Sequence, residues 1–252
     1  MASIRKTVII VGATEGLGAA IARVFYAQGN TVIIAARKDN GFAKKLGKRA
    51  FFAHADARQE ADHKSLAELA RRKTGRLDVY INCAGFSLWS PLSEVDELFF
   101  QEMIDTNLKG TFWGCKTAAG LLRRGGCIIN VASLAGKRGS ANNSVYCASK
   151  FGVIGLTQAL AKELGPRGIR VNAVCPVYVE TPGLKRALAQ KHAPPQGKSV
   201  SEYLKNFSNQ QSALGRLPTA DEVAQVCVFL ASDAASAITG QSLNVDCGVL
   251  PS

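Results

Sequence analysis

The strongest constraint on this chain is an alternation that runs almost its whole length. Short, continuously apolar runs alternate with longer stretches of helical periodicity. "KTVIIVGATEG" leads into "GLGAAIARVFYAQGN", then into "TVIIAAR" and "AFFAHAD". "LDVYINCAG", "GCIINVAS", "IRVNAVCP" and "GQSLNVDCG" continue the apolar runs. Between them lie "EADHKSLAELARRKTG", "VDELFFQEMIDTNLKGTFWGCKTAAGLLRRG" (read as two helices), "SVYCASKFGVIGLTQALAKELGPRG" and "TADEVAQVCVFLASD". A run apolar at every position reads as a strand buried on both faces. Strands alternating with helices predict an α/β fold: a doubly wound parallel sheet of about seven strands with helices on both faces. No linker divides the chain, so residues 1–252 read as a single domain. The irregular segment is about 177–215, which contains "APPQGKS" and reads as a lid.

Composition narrows the function. The net charge of +12 favours acidic partners. No basic run reaches five residues and no nucleic-acid module stands out, so nucleic acid is not the expected partner. No apolar run is long enough to span a membrane, and a cytoplasmic protein is expected. The seven cysteines are scattered without a CxxC pair and read as small buried hydrophobes of a reducing compartment. His54, His63 and His192 are isolated, so no metal site is expected.

In a doubly wound sheet, ligands bind beyond the carboxyl ends of the strands. Gly12, Gly16 and Gly18 fall there, between a strand and a helix, with Thr14, Glu15 and Leu17 among them. Such a loop lets backbone N–H groups approach a pyrophosphate at the helix start, which makes the sheet Rossmann-type and dinucleotide-binding. Ser133 ends another strand, and "YCASK" places Tyr146 and Lys150 one above the other on a helix. A nearby ammonium would lower the phenol's pKa and make it a better proton donor near neutral pH.

These motifs together resemble the short-chain dehydrogenase/reductase family over nearly the whole chain. Its glycine loop is similar to Gly12, Gly16 and Gly18, its N-x-A-G stretch to Asn82–Gly85, and its helix asparagine to Asn107. Its catalytic set corresponds to Ser133, Tyr146 and Lys150; its "P-G-x-[IV]-x-T" segment to Pro176, Val179 and Thr181; its C-terminal segment to "TGQSLNVDCG". The resemblance implies that Tyr146 exchanges a proton with the substrate oxygen, which Ser133 orients. It implies that Lys150 lowers the pKa of Tyr146 and binds the nicotinamide ribose, and that Asn107 holds a water linked to Lys150. It also implies cofactor contacts at Asp56, Ala57, Asn82, Ala84 and Gly85. Two departures stand out: Val177 and Cys247 replace family glycines. Val177 would be strained if its position needs a positive φ.

The second strand ends without the acidic residue that binds the ribose hydroxyls in NAD enzymes. Arg37 and Lys38 there favour the 2′-phosphate of NADP, whereas Glu15 would repel it, so NADP is expected and NAD stays the alternative. The implied reaction is interconversion of a carbonyl and a secondary alcohol, in the direction of ketone reduction. A 3-oxoacyl carrier-protein reductase is one specific version, with Arg123, Arg124 and Arg167 near the place where such relatives dock an acidic carrier. The other class is a non-catalytic NADP-binding sensor. Phe86, Trp89, Lys137, Arg138, Asn142 and the lid at 177–215 are the expected substrate selectors; the basic residues of that lid read first as solvated surface and second as attraction for an anionic substrate or carrier. Relatives of this length imply a homotetramer or homodimer through the helices around 95–122 and 144–164.

Overall fold

The computed structural model describes residues 5–251. All seven apolar runs are strands: β1 Thr7–Val11, β2 Thr31–Ala36, β3 Ala50–His54, β4 Val79–Asn82, β5 Cys127–Val131, β6 Arg170–Pro176 and β7 Ser242–Val245. They form one parallel sheet in the order β3-β2-β1-β4-β5-β6-β7. The order reverses between β1 and β4, where Val8 to Val11 pair with Val79 to Asn82. A crevice opens at such a reversal because successive crossovers leave to opposite sides.

The helices are α1 Gly16–Ala27, α2 Phe42–Leu46, α3 Glu60–Thr74, α4 Glu97–Ile104, α5 Gly110–Leu121, α6 Ser144–Leu164, α7 Pro182–Leu188, α8 Val200–Gln211 and α9 Ala220–Leu230. They cover both faces of the sheet. Ile10, Ile34, Ile81 and Ile129 point to α1 and α9 in one core, and Ile9, Ile33, Tyr80 and Ile128 point to α3 and α5 in the other. Each central strand therefore buries both of its side-chain rows, which is why these strands are apolar throughout. "TADE" starts α9 with a complete capping box between Thr219 and Glu222.

Three parts differ from the sequence reading. The stretch 97–121 is one unbroken helical rod, with a π-helical turn at Asp105–Lys109 between α4 and α5. Segment 177–215 is not irregular: it carries α7 and α8 around a small core of Trp89, Leu188, Ala193 and Leu204. Its proline, glycine and lysine content hides this order, because only one face of each short helix is buried. The short helix α2 also went unread.

Candidate active site

Gly12, Gly16 and Gly18 close the turn from β1 into α1. A Cβ on Gly12 would stand 2.6 Å from the Ala84 backbone, and one on Gly18 would stand 2.1 Å from the Gly12 carbonyl. Gly16 faces Thr181, with a Cβ there 3.4 Å from the threonine side chain. Only glycine leaves the backbone this close to β4 and to the end of β6. Glu15 precedes α1 but gives it no side-chain cap. The first N–H groups of the helix therefore remain available to an anion. Arg37 and Lys38 are exposed beyond β2 and make no ion pair with any described residue. Val11, Ala57, Asn82, Ala84 and Thr106 line a small recess beside the loop. This arrangement fits a dinucleotide with an additional phosphate.

Several expected cofactor residues are engaged otherwise. The Asn82 side chain turns inward and donates to Asn130 Oδ1 at 2.9 Å, so only its backbone faces the crevice edge. Leu17 packs on the core below the loop. The Asp56 carboxylate is held by Arg58 at 2.6 Å, and that hydrogen bond lowers its pKa. Glu15 is paired with Arg186 of α7 at 2.5 Å, so its charge is balanced by a cation that sequence reading did not connect to it. Asn40 donates to the Thr14 carbonyl at 2.8 Å and ties the loop after β2 to the glycine loop. Asn40 gave no sequence signal, and Arg186 stood out only as one of the basic residues of 177–215, because the partners of both are remote along the chain.

Ser133, Tyr146, Lys150 and Asn107 converge as the sequence motifs require. Ser133 follows β5, and its hydroxyl accepts the Ala135 N–H at 3.1 Å. Tyr146 lies in the first turn of α6, on a cavity of about 160 Å³ that Ser133 also lines. Lys150 is buried, donates from Nζ to the Val131 carbonyl at 2.9 Å, and sits 5.7 Å from the centre of the Tyr146 ring. Gly85 leaves room for this group: a Cβ there would lie 2.9 Å from Asn107 Oδ1 and 3.4 Å from Lys150 Nζ.

The electrostatics differ from the simple expectation. Burial pushes the Tyr146 phenol up to about 12, with a hydrogen bond to Ser133 working the other way. Burial also brings Lys150 down to about 8. Desolvation is the largest cause of both shifts. The phenol therefore keeps its proton at neutral pH.

Asn107 sits fully buried in the π-helical turn. Its Oδ1 accepts the Phe86 N–H at 3.0 Å, and its Nδ2 donates to the Phe86 carbonyl at 2.9 Å and to Ser149 Oγ at 3.1 Å. Ser149 Oγ donates in turn to the Tyr146 carbonyl at 2.7 Å. The carboxamide thus fastens the loop after β4 to α6. Ser149 stood inside "YCASK" and went unsingled, since a serine within a helix carries no distinctive pattern.

Residues 12–250 match the family described as enoyl-(acyl carrier protein) reductase. A protein of Streptomyces virginiae named as ketoacyl reductase of the monensin polyketide synthase is 39% identical, over 98% of both chains. The chain belongs to the short-chain dehydrogenase/reductase family. Another relative, the 3-oxoacyl-[acyl-carrier-protein] reductase FabG of Thermotoga maritima, is 33% identical over 97% of this chain and 98% of its own. Among solved structures, a variant of the actinorhodin polyketide ketoreductase with NADPH has a TM-score of 0.91 at 33% identity, covering 99% of each chain. Membership makes the protein an oxidoreductase whose hydride carrier is a nicotinamide dinucleotide.

The backbone settles the fate of the two replaced glycines. Val177 is absent from the positive-φ residues and packs beside Ala173 and Cys175, so it carries no strain. Cys247 does adopt the left-handed conformation, with φ 54°.

Proposed function

We propose that this family member uses NADPH to reduce a ketone to a secondary alcohol. The single observation that carries the reading is the shared cavity wall of Ser133 and a Tyr146 that holds its proton at neutral pH. Bound NADPH supplies the hydride. Tyr146 donates the proton from its phenol to the carbonyl oxygen, and the Ser133 hydroxyl orients that oxygen. Lys150 carries positive charge beside the phenol at neutral pH and steadies the phenolate left after transfer. Asn107 and Ser149 act through position, holding the loop after β4 against α6. Gly12, Gly16 and Gly18 take the pyrophosphate, and Arg37 and Lys38 take the 2′-phosphate. Arg186 supports NADP by neutralising Glu15. Segment 177–215 acts as the lid, since α7 reaches the glycine loop through that pair.

A 3-oxoacyl group on an acidic carrier is the second reading, favoured by the names of the relatives. Arg123, Arg124 and Arg167 precede β5 and β6, at the sheet edge opposite the cavity. Within one chain, Arg138 is the cation on the cavity wall, so a free ketone is the simpler substrate. Among the described residues no helix is long and apolar enough to cross a membrane, and the reading places the enzyme in the cytoplasm. Association into a dimer or tetramer through α4–α6 is part of the same reading, because Leu98, Phe112 and Phe151 are exposed there.

The test is the initial rate with NADPH and NADH over an acetoacetyl thioester and a panel of free ketones. Turnover with NADPH preferred, lost in Tyr146→Phe while cofactor still binds, is the expected result. Loss of the NADPH preference in Arg37→Ala would support the phosphate contact. An undiminished rate in Tyr146→Phe would remove the phenol from its role.

A further inference from the structure

Asn143 lies one turn before Tyr146 and is 4% exposed, on the wall of the cavity that holds Ser133 and Tyr146. It is the residue that precedes α6. An asparagine there ordinarily turns its Oδ1 onto an N–H of the first helical turn. Here it forms no side-chain cap, and only its backbone carbonyl serves the helix, accepting the Cys147 N–H at 2.9 Å. Its Nδ2 makes one long contact of 3.5 Å, to Ser87 Oγ. Its Oδ1 is buried and accepts no hydrogen bond from any described residue. Ser242 and Asn244 also have such an atom, but both lie on β7 and neither borders the cavity. A buried acceptor without a donor is costly, and a site built to bind a hydroxyl strongly rejects the analogue lacking it.

We propose that Asn143 is a specificity-determining residue whose Oδ1 accepts a hydrogen bond from a hydroxyl or enol of the substrate. The substrate class is then a hydroxy-ketone or its enolic equivalent, not a ketone with one oxygen. The rest of the cavity agrees with such a substrate. Trp89, Tyr178 and Phe207 give it apolar surface for a carbon skeleton, while Ser87 and Asn143 give it a polar side. The inference rests on the ketone-reductase reading and adds to it the group that is recognised beside the carbonyl.

The experiment compares acetoin, its methyl ether and butanone, and the matching β-hydroxy series, by kcat/KM with NADPH. In wild-type protein the hydroxy-ketone should exceed the plain ketone in at least one series by about tenfold, the worth of one such hydrogen bond. The methyl ether should behave like the plain ketone, since it accepts but cannot donate. Asn143→Ala should collapse that ratio, and Asn143→Asp, which keeps an acceptor, should retain it. The alanine change breaks no side-chain cap, so its thermal midpoint should hold, whereas the aspartate buries a carboxylate and should lower it; if the alanine variant does not fold, Asn143→Val makes the same comparison. An unchanged ratio in the variants, or an ether as good as the hydroxyl, overturns the proposal. Plain ketones reduced by the wild-type protein with the same kcat/KM as the hydroxy-ketones in both series overturn it while leaving the ketone-reductase reading intact. Reduction of no ketone at all overturns both.

Discussion

At Cys247 a side chain occupies backbone space that suits glycine. Its φ of 54° lies in the left-handed region, where a Cβ crowds the following carbonyl. The carbonyl of Cys247 is nonetheless fixed there, accepting from Ser212 Oγ at 2.9 Å and from the Leu214 N–H at 3.1 Å. Cys247→Gly removes the clash and keeps both bonds. The expected gain is about 0.5–1 kcal/mol, after the extra entropy that glycine loses on folding is subtracted. It would appear as a higher denaturant midpoint at unchanged slope; a lower midpoint would show that the cysteine's packing outweighs its strain. Tyr146 teaches a related lesson about single residues. The pairing of phenol and ammonium was legible in "YCASK", but the sign of the pKa shift depended on how deeply both were buried.

At the scale of elements, the π-helical turn and α7 place the chemistry. In the turn, the Gly110 N–H reaches the Asp105 carbonyl five residues back, and the Asn107 carbonyl accepts Thr111 Oγ1 at 2.7 Å. The widened turn brings Asn107 to Phe86 and Ser149 together, which a regular helix repeat need not do. α7 begins at Thr181, whose hydroxyl caps it by accepting the Leu184 N–H, and it delivers Arg186 to Glu15. Both partners are largely exposed, so the pair itself adds little stability. Its effect on a nearby phosphate is the measurable quantity. Arg186→Ala should weaken NADPH binding by about two- to fivefold, the range of an exposed pair, with NADH affected less. Glu15→Gln should act in the opposite direction. Equal NADPH affinity in wild type and Arg186→Ala, read by tryptophan fluorescence, would sever α7 from cofactor selection.

For the whole molecule, two cores on either face of the sheet leave large apolar side chains uncovered on α4, α5 and α6. Leu98, Phe112 and Phe151 are 68%, 43% and 48% exposed on α4, α5 and α6, which is unusual for large side chains on packed helices. A second copy of the chain would cover them. In the proposed association, Phe112→Glu combined with Phe151→Glu should leave only monomers in light scattering. A monomeric wild type, or an assembly indifferent to both charges, would assign the association elsewhere. The net charge of +12 acts at this scale too, through a field that draws an anionic cofactor and weakens with salt.

Apolar runs such as "TVIIV" determined the sheet by themselves, because a strand buried on both faces has no polar positions to spare. The glycine loop was legible from its place between a strand and a helix, and the Tyr146–Lys150 pairing from helix spacing, whereas Ser133 joined them only through the resemblance to the family. Segment 177–215 went unread although Val200, Tyr203, Leu204 and Phe207 recur at helical spacing in α8, because the proline, glycine and polar residues before them masked that pattern; only the shared core with Trp89 needed the tertiary structure. The Glu15–Arg186 pair, the inward turn of Asn82 and the unpaired Oδ1 of Asn143 were not legible. Each depends on which groups meet across distant parts of the chain and on how much water they lose when they meet. Local sequence carries the chemistry on offer; burial and long-range pairing decided which groups remain free to use it.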